Sequence, residues 1–111
     1  MGGIKYYSTN RNINEAGFIP FKGLVSFKDA LMMGQAPDAG LFMPERIPNI
    51  SKGELEDLRE KRYFEVAHSI LEKFLYGDIE SDYLLKLCKE AYNFKVPIDK
   101  VHDRKYVLRL D

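Results

Sequence analysis

Tryptophan is absent from this 111-residue chain, cysteine occurs once, and neither sign of charge prevails. Each shortage excludes something. A lone Cys88 cannot close an internal disulfide, so nothing points to an oxidising compartment. Lysine plus arginine equals aspartate plus glutamate at 17 each, and nucleic-acid or membrane-surface binding would need surplus positive charge. No apolar run approaches the roughly 20 residues of a spanning helix. The N-terminus lacks a signal-peptide core, so a cytoplasmic location is expected. Met1-Gly2 opens a myristoylation pattern that Tyr6 spoils, because that position calls for serine or threonine. Asn49-Ile50-Ser51 fits the glycosylation sequon without the secretory signal that would give it meaning.

What remains is ordinary globular material. Apolar residues make up 45% and charged residues 31%, which suits one soluble domain with a single core. Ile4 to Ser8 is short and aromatic-rich, the profile of a strand. Asn10 to Gly23 reads as irregular, with the apolar patch Phe18-Ile19-Pro20-Phe21 inside it. Ser26 and Asp29 form a capping-box pattern that starts a helix. Phe27, Ala30 and Leu31 give this helix an apolar stripe, and Gly34 ends it.

Pro37-Asp38-Ala39-Gly40 is turn chemistry, with Gly40 suited to a positive φ. It leads into Leu41-Phe42-Met43, a buried-strand candidate closed by Pro44. Ser51 and Glu54 mark a second capped helix, polar and ending near Lys61, with Ile50 and Leu55 as its hydrophobic staple. The strongest periodic segment runs from Tyr63 to Tyr76, with Gly77 at its end. Another helix starts around Glu80 to Asp82, carries Leu84, Leu87, Cys88, Ala91 and Tyr92 on one side, and fades by Phe94. Pro97 then breaks the chain's regular structure. Lys105 to Asp111 alternates, placing Tyr106, Leu108 and Leu110 on one strand face. The order is strand, helix, strand, three helices, strand: an α+β domain of about four helices and a few short strands, expected to be part of a larger structure.

Few residues carry chemistry. Glu65, His68 and Glu72 share one side of the strongest helix, but paired His or Cys ligands and a fourth position are missing, so no metal site is expected and that side reads as solvated. His102 falls in a charged loop, His-Asp-Arg-Lys, and reads as solvated too. Cys88 lies on an apolar stripe, where a thiol is a small filler. There is no glycine-rich phosphate loop and no nucleophile–base constellation. On its motifs, the chain is not a self-contained enzyme.

Four stretches in order resemble the N-terminal segment of the threonine synthase family. Tyr7-Ser8-Thr9 is similar to the family's opening Tyr-x-Ser-Thr-Arg. Val25-Ser26-Phe27 with Ala30, Leu31 and Gly34 is similar to its first helix, and Pro37 to Pro44 to its Asp-Gly-Gly-Leu-(apolar)-x-Pro turn. The helix pair joined at Tyr76-Gly77-Asp78, with Leu108-Arg109-Leu110-Asp111 after it, completes the set. Ala39 stands at the usual second-glycine slot, Asn10 replaces the arginine with Arg11 beside it, and residues 12 to 23 form a longer connection.

The resemblance implies that residues 1–111 are an N-terminal domain whose catalytic domain lies downstream of residue 111. The family's whole enzyme is of fold type II, depends on pyridoxal 5'-phosphate, and converts O-phospho-L-homoserine and water to L-threonine and phosphate. Its cofactor lysine sits in a Gly-Pro-Thr-x-x-Phe-Lys-Asp motif. Phe27-Lys28-Asp29 imitates the end of that motif without its lead, so Lys28 is not expected to bind the cofactor, and no catalytic or cofactor-binding residue is expected in this chain. By the same resemblance Leu41, Phe42 and Met43 anchor the segment on its own catalytic domain, and Ser8 and Thr9 face the substrate side, unless they merely cap their own turn. Two alternatives stay open: a related phospho-lyase segment, or a free-standing α+β interaction module. A fragment with its docking surface open is expected to self-associate and to be inactive alone.

Overall fold

The computed structural model describes residues 3–110. Met1-Gly2 and Asp111, part of the myristoylation pattern and of the last resemblance stretch, lie outside the described residues. The elements are β1 (Tyr6–Ser8), α1 (Phe27–Met33), β2 (Phe42–Pro44), α2 (Lys52–Leu58), α3 (Tyr63–Leu75), α4 (Ser81–Ala91), β3 (Ile98–His102) and β4 (Lys105–Leu108). The α+β expectation holds, with four helices and two separate two-stranded sheets.

Local signals place the helices. Ser26 and Ser51 are the N-caps of α1 and α2, each hydroxyl accepting the backbone N–H three residues on, at 3.1 Å. Gly34 closes α1 at φ 75°, and Gly77 at φ 85° comes after the last turn of α3, a left-handed bend that a Cβ disfavours. The second helix stops at Leu58 instead of Lys61; Arg59 to Lys61 form a turn that frees Tyr63 to start α3. Ile50 and Leu55 are both exposed.

The core is the α3–α4 pair. Leu75, Leu84 and Cys88 are buried at its centre, and Phe64, Ala67, Leu71, Phe74, Ile79 and Tyr92 pack around them. Phe27 reaches this cluster from α1, tying the first helix to the pair. Leu87 and Ala91, expected on the same stripe, are exposed, because α4 packs mainly on α3 and buries a narrow face.

The β1–β2 ribbon is antiparallel, pairing Tyr6 with Pro44 and Ser8 with Phe42. Val25 bridges the other side of Tyr6 with reciprocal bonds of 2.8 and 3.0 Å, which delivers the chain to the Ser26 cap. Ile4, 1% exposed, tucks in just before β1.

The structure corrects several expectations. The strand forms at Phe42–Pro44, one residue later than expected, with Leu41 just before it and Pro44 paired with Tyr6 instead of closing it. Leu41 is 63% and Met43 42% exposed, and of Leu41, Phe42 and Met43 only Phe42 is half-buried. Leu31 on α1 is likewise exposed. Apolar character places a side chain inside only where the chain has something to cover it with. A fourth strand is present as well. Residues 98–102 pair antiparallel with 105–108, and the stretch read as a charged loop at His102 is the end of this hairpin and its turn, with Arg104 at φ 60°. Every residue of this hairpin is exposed.

The molecule spans 51 × 39 × 27 Å with a Cα radius of gyration of 17.5 Å. A compact chain of about 100 residues has a radius near 13 Å. This fold is open. None of its described helices is long and apolar enough to cross a membrane.

Truncating the core tests the packing. Leu84→Ala should destabilise the chain by about 2–5 kcal/mol in denaturant unfolding, whereas Leu31→Ala on exposed α1 should stay within about 0.5 kcal/mol.

Candidate functional site

Among the described residues, the buried polar ones are Ser8, fully covered, and Asp38, 5% exposed. They touch. Asp38 lies in a turn closed by the Ala39 N–H to the Ala36 carbonyl at 2.9 Å and the Ala36 N–H to the Gly40 carbonyl at 3.0 Å. This tight corner aims the carboxylate back at β1. Asp38 Oδ1 accepts the Ser8 hydroxyl at 2.5 Å and the Gly40 N–H at 3.0 Å, and Oδ2 accepts the Phe21 N–H at 2.8 Å. Ser8 Oγ in turn accepts the Asn10 N–H at 3.2 Å, while the Asn10 side-chain amide donates to the Asp38 carbonyl at 3.0 Å. Three stretches of chain meet on one carboxylate.

Burial raises the cost of ionising Asp38, but the bonds from Ser8, Phe21 and Gly40 outweigh it and hold the carboxyl below its ordinary range. Hydrogen bonds to the charged form do this without a cation: Ser8, Phe21 and Gly40 are all uncharged donors.

Gly40 is required here for closeness rather than for its backbone angle. A Cβ at this position would collide with Ser8 Oγ and come within 2.9 Å of the Asn10 nitrogen and 3.0 Å of Asp38 Oδ1. The positive φ expected of Gly40 belongs instead to Ala39, at 67°. Ala39 therefore carries a left-handed backbone that costs an L-residue about 1–2 kcal/mol.

Ser8 and Thr9, paired as substrate-side candidates, point to different places. Ser8 is sealed and its hydroxyl is engaged with Asp38 and Asn10. Thr9 is exposed. Its N–H donates to the Leu41 carbonyl at 2.9 Å and its Oγ1 accepts the Leu41 N–H at 3.0 Å, so Thr9 and the exposed Leu41 are locked side by side. Arg11 stands 3.8 Å over the Tyr7 ring. The patch Phe18 to Phe21 splits: Phe21 packs edge-on against Phe42 at 6.1 Å, while Ile19 is 88% exposed.

The remaining candidates serve the fold. Glu65 accepts the Arg62 N–H at 3.1 Å and caps α3. His68 is half-buried rather than solvated, its Nε2 3.0 Å from the Ser81 carbonyl and 3.2 Å from Ser81 Oγ, which pins α3 to the start of α4. Glu72 lies 3.8 Å from His68. Among the described residues no cluster of His, Cys, Asp and Glu could hold a metal ion. Cys88 is buried, and burial pushes its thiol up, away from the reactive thiolate. Lys28 is exposed on the seven-residue α1.

Turn chemistry accounts for the Asp38 bond to Gly40 but not for those to Ser8 and Phe21, which span 30 and 17 residues. Asn10 and Phe21 carry no local sign that they belong to this cluster.

The fold is a small α+β segment with a hydrogen-bonded polar corner and an apolar edge beside it. Known proteins share it. A family model described as the threonine synthase N terminus matches residues 5–92. Threonine synthase of Haemophilus influenzae is 33% identical over 86 residues, covering 78% of this chain and 20% of that protein. Threonine synthase of Schizosaccharomyces pombe is 33% identical over 69 residues, covering 61% of this chain and 13% of its own length. Among solved structures, the PLP-bound threonine synthase of Brucella melitensis overlays 96% of this chain and 22% of its own, at TM-score 0.75 and 32% identity. Escherichia coli threonine synthase overlays 96% of this chain at TM-score 0.77 and 23% identity, a likeness of fold alone. This chain belongs to the threonine synthase N-terminal family. It spans between 13% and 21% of the length of the curated relatives it matches.

Two measurements test the corner. Ala39→Gly should stabilise the chain by about 0.5–1 kcal/mol, the relief of left-handed strain less the extra freedom of glycine when unfolded, and Gly40→Ala should destabilise it by about 1–3 kcal/mol through overpacking. The folded pKa of Asp38 lies below an unfolded value of about 3.9. Its stabilising contribution is therefore complete above about pH 4 and lost as pH falls through the folded value. Glu54, lowered mainly by its hydrogen bond from Lys73 against a burial cost, acts with the same sign. Acid titration of unfolding should show Asp38→Asn flattening the stability loss below about pH 4.

Proposed function

We propose that residues 1–111 act as the N-terminal domain of a threonine synthase, an enzyme that converts O-phospho-L-homoserine and water to L-threonine and phosphate in the cytoplasm. The observation that carries this reading is the overlay of 96% of the chain on 22% of the Brucella melitensis enzyme, with the family match over residues 5–92. The partner is then the catalytic domain of the same protein, outside these 111 residues.

Pyridoxal phosphate belongs to that other domain in this reading. The residues here do not fit a cradle for it. Every lysine except half-buried Lys73 is exposed, and the Lys73 ammonium stands 2.5 Å from the Glu54 carboxylate.

What this chain can supply is a surface. Leu41 and Met43 are exposed at the edge of β1–β2, with Phe42 half-buried between them. The β3–β4 hairpin shows Ile98, Tyr106 and Leu108 to solvent, and an isolated two-stranded hairpin is marginal in water. Apolar surface of this extent marks contact with further protein. Leu41, Phe42 and Met43 anchor the domain on the catalytic body. Thr9, fastened to Leu41 by two hydrogen bonds, is the member of the Ser8–Thr9 pair that can face the substrate side, since a hydroxyl that accepts a bond still has its proton to donate. Ser8 works from inside. The isolated piece, with this surface open, self-associates.

The longer natural protein, loaded with pyridoxal phosphate, should release phosphate from O-phospho-L-homoserine and form threonine. Turnover only of other amino-alcohol phosphates would instead mark a phospho-lyase, and a protein ending at Asp111 would mark a free-standing module. Lys28→Ala should leave cofactor absorbance and turnover unchanged. Leu41→Asp, which would bury an unpaired carboxylate, should lower the melting temperature of the longer protein by several degrees, the equivalent of about 1–3 kcal/mol.

A further inference from the structure

We propose that Asp38 is a positioning residue of this family's reaction: its carboxylate fixes the turn at residues 8–11 and the aromatic loop at Phe21 as one rigid unit, so that Thr9 is presented in a single orientation. The inference rests on the reading that this domain borders a threonine synthase cleft.

The geometry is specific about what is fixed. Thr9 is bracketed on both sides. Ser8 before it donates to Asp38 Oδ1 at 2.5 Å, and Asn10 after it is held twice, by its N–H to Ser8 Oγ at 3.2 Å and by its side-chain amide to the Asp38 carbonyl at 3.0 Å. Thr9 itself is held by the two bonds to Leu41. The other carboxylate oxygen takes the Phe21 N–H at 2.8 Å, which joins the long 10–24 connection to the same point. A carboxylate suits this task because it is acceptor-only, with lone pairs on both oxygens for three convergent donors. An asparagine of the same shape would turn an NH2 either toward the Phe21 N–H or toward the Ser8 hydroxyl and Gly40 N–H, opposing donor to donor.

A residue that only stabilised the fold could be lost with no effect on substrate affinity beyond the fraction folded. A positioning residue separates the two, because a small displacement of a bound group has a large effect on its contacts.

The experiment uses the longer natural protein with its cofactor, wild type against Asp38→Asn and Ser8→Ala, the second keeping the carboxylate and its Phe21 and Gly40 bonds. Steady-state kinetics with O-phospho-L-homoserine should show KM raised about tenfold and kcat within about twofold in both variants. Hydrogen exchange should rise in peptides covering 8–11 and 18–24, with residues 63–91 as protected as in wild type. Wild-type KM in either folded variant overturns the proposal. So does kcat falling in step with lost protection of 63–91, which would make Asp38 a stability residue only. Wild-type protein with no turnover of O-phospho-L-homoserine would sink the functional reading and with it the kinetic claim. The exchange data then decide the clasp alone, which stands if deprotection is confined to residues 8–24 and falls if there is none.

Discussion

One carboxylate ties together the non-helical N-terminal part of this domain. Residues 3–25 and 34–50 contain little regular structure, and their described backbone ladder is the short β1–β2 ribbon with the Val25 bridge. Such a stretch has few apolar contacts to offset the entropy of ordering it. Asp38 compensates by gathering Ser8, Phe21 and Gly40 onto one buried residue, with Asn10 joined through Ser8 and through the Asp38 carbonyl. Burying a charge is costly unless its hydrogen bonds are satisfied, and no buried side-chain N or O among the described residues lacks a partner. The close approach forces glycine at 40 and leaves the left-handed position to Ala39. At a glycine position of the family pattern, this chain carries Ala39 and accepts strain.

The helical part rests on different physics. The α3–α4 pair buries Leu75, Leu84 and Cys88, takes Phe27 from α1, and is pinned by His68 against Ser81. Apart from Phe27, these are contacts between elements close in sequence. The two halves meet through Phe27 and through Tyr6, whose ring lies 6.0 Å from it. Beyond them the hairpin 98–108 extends into solvent with its apolar residues uncovered. A radius of gyration of 17.5 Å expresses the same fact at the scale of the molecule.

This division explains what could be read in advance. The helices, their Ser26 and Ser51 caps and the glycine after α3 were legible, because periodicity and capping act within a few residues. The hairpin at 98–108 was half legible. Its second strand alternates, but the turn uses Arg104 at positive φ in place of the usual asparagine or glycine, and Pro97 reads as a break. Met43 belongs to a strand and Leu41 adjoins it, but neither belongs to an interior. Apolarity records what a residue is suited to contact, and the contact need not be supplied by the same 111 residues. The Asp38 clasp was illegible, since bonds spanning 30 residues obey no local rule.

The account turns on the exposed apolar edges being covered by more protein. Hydroxyl-radical footprinting of the longer natural protein, read at Met43 and Tyr106, tests this most directly. Both side chains are open in this chain, at 42% and 61% exposure. Docking predicts that both are modified far more slowly than that exposure dictates, while Tyr83 on the outer side of α4 is modified freely. Met43 and Tyr106 reacting as fast as Tyr83 would contradict it.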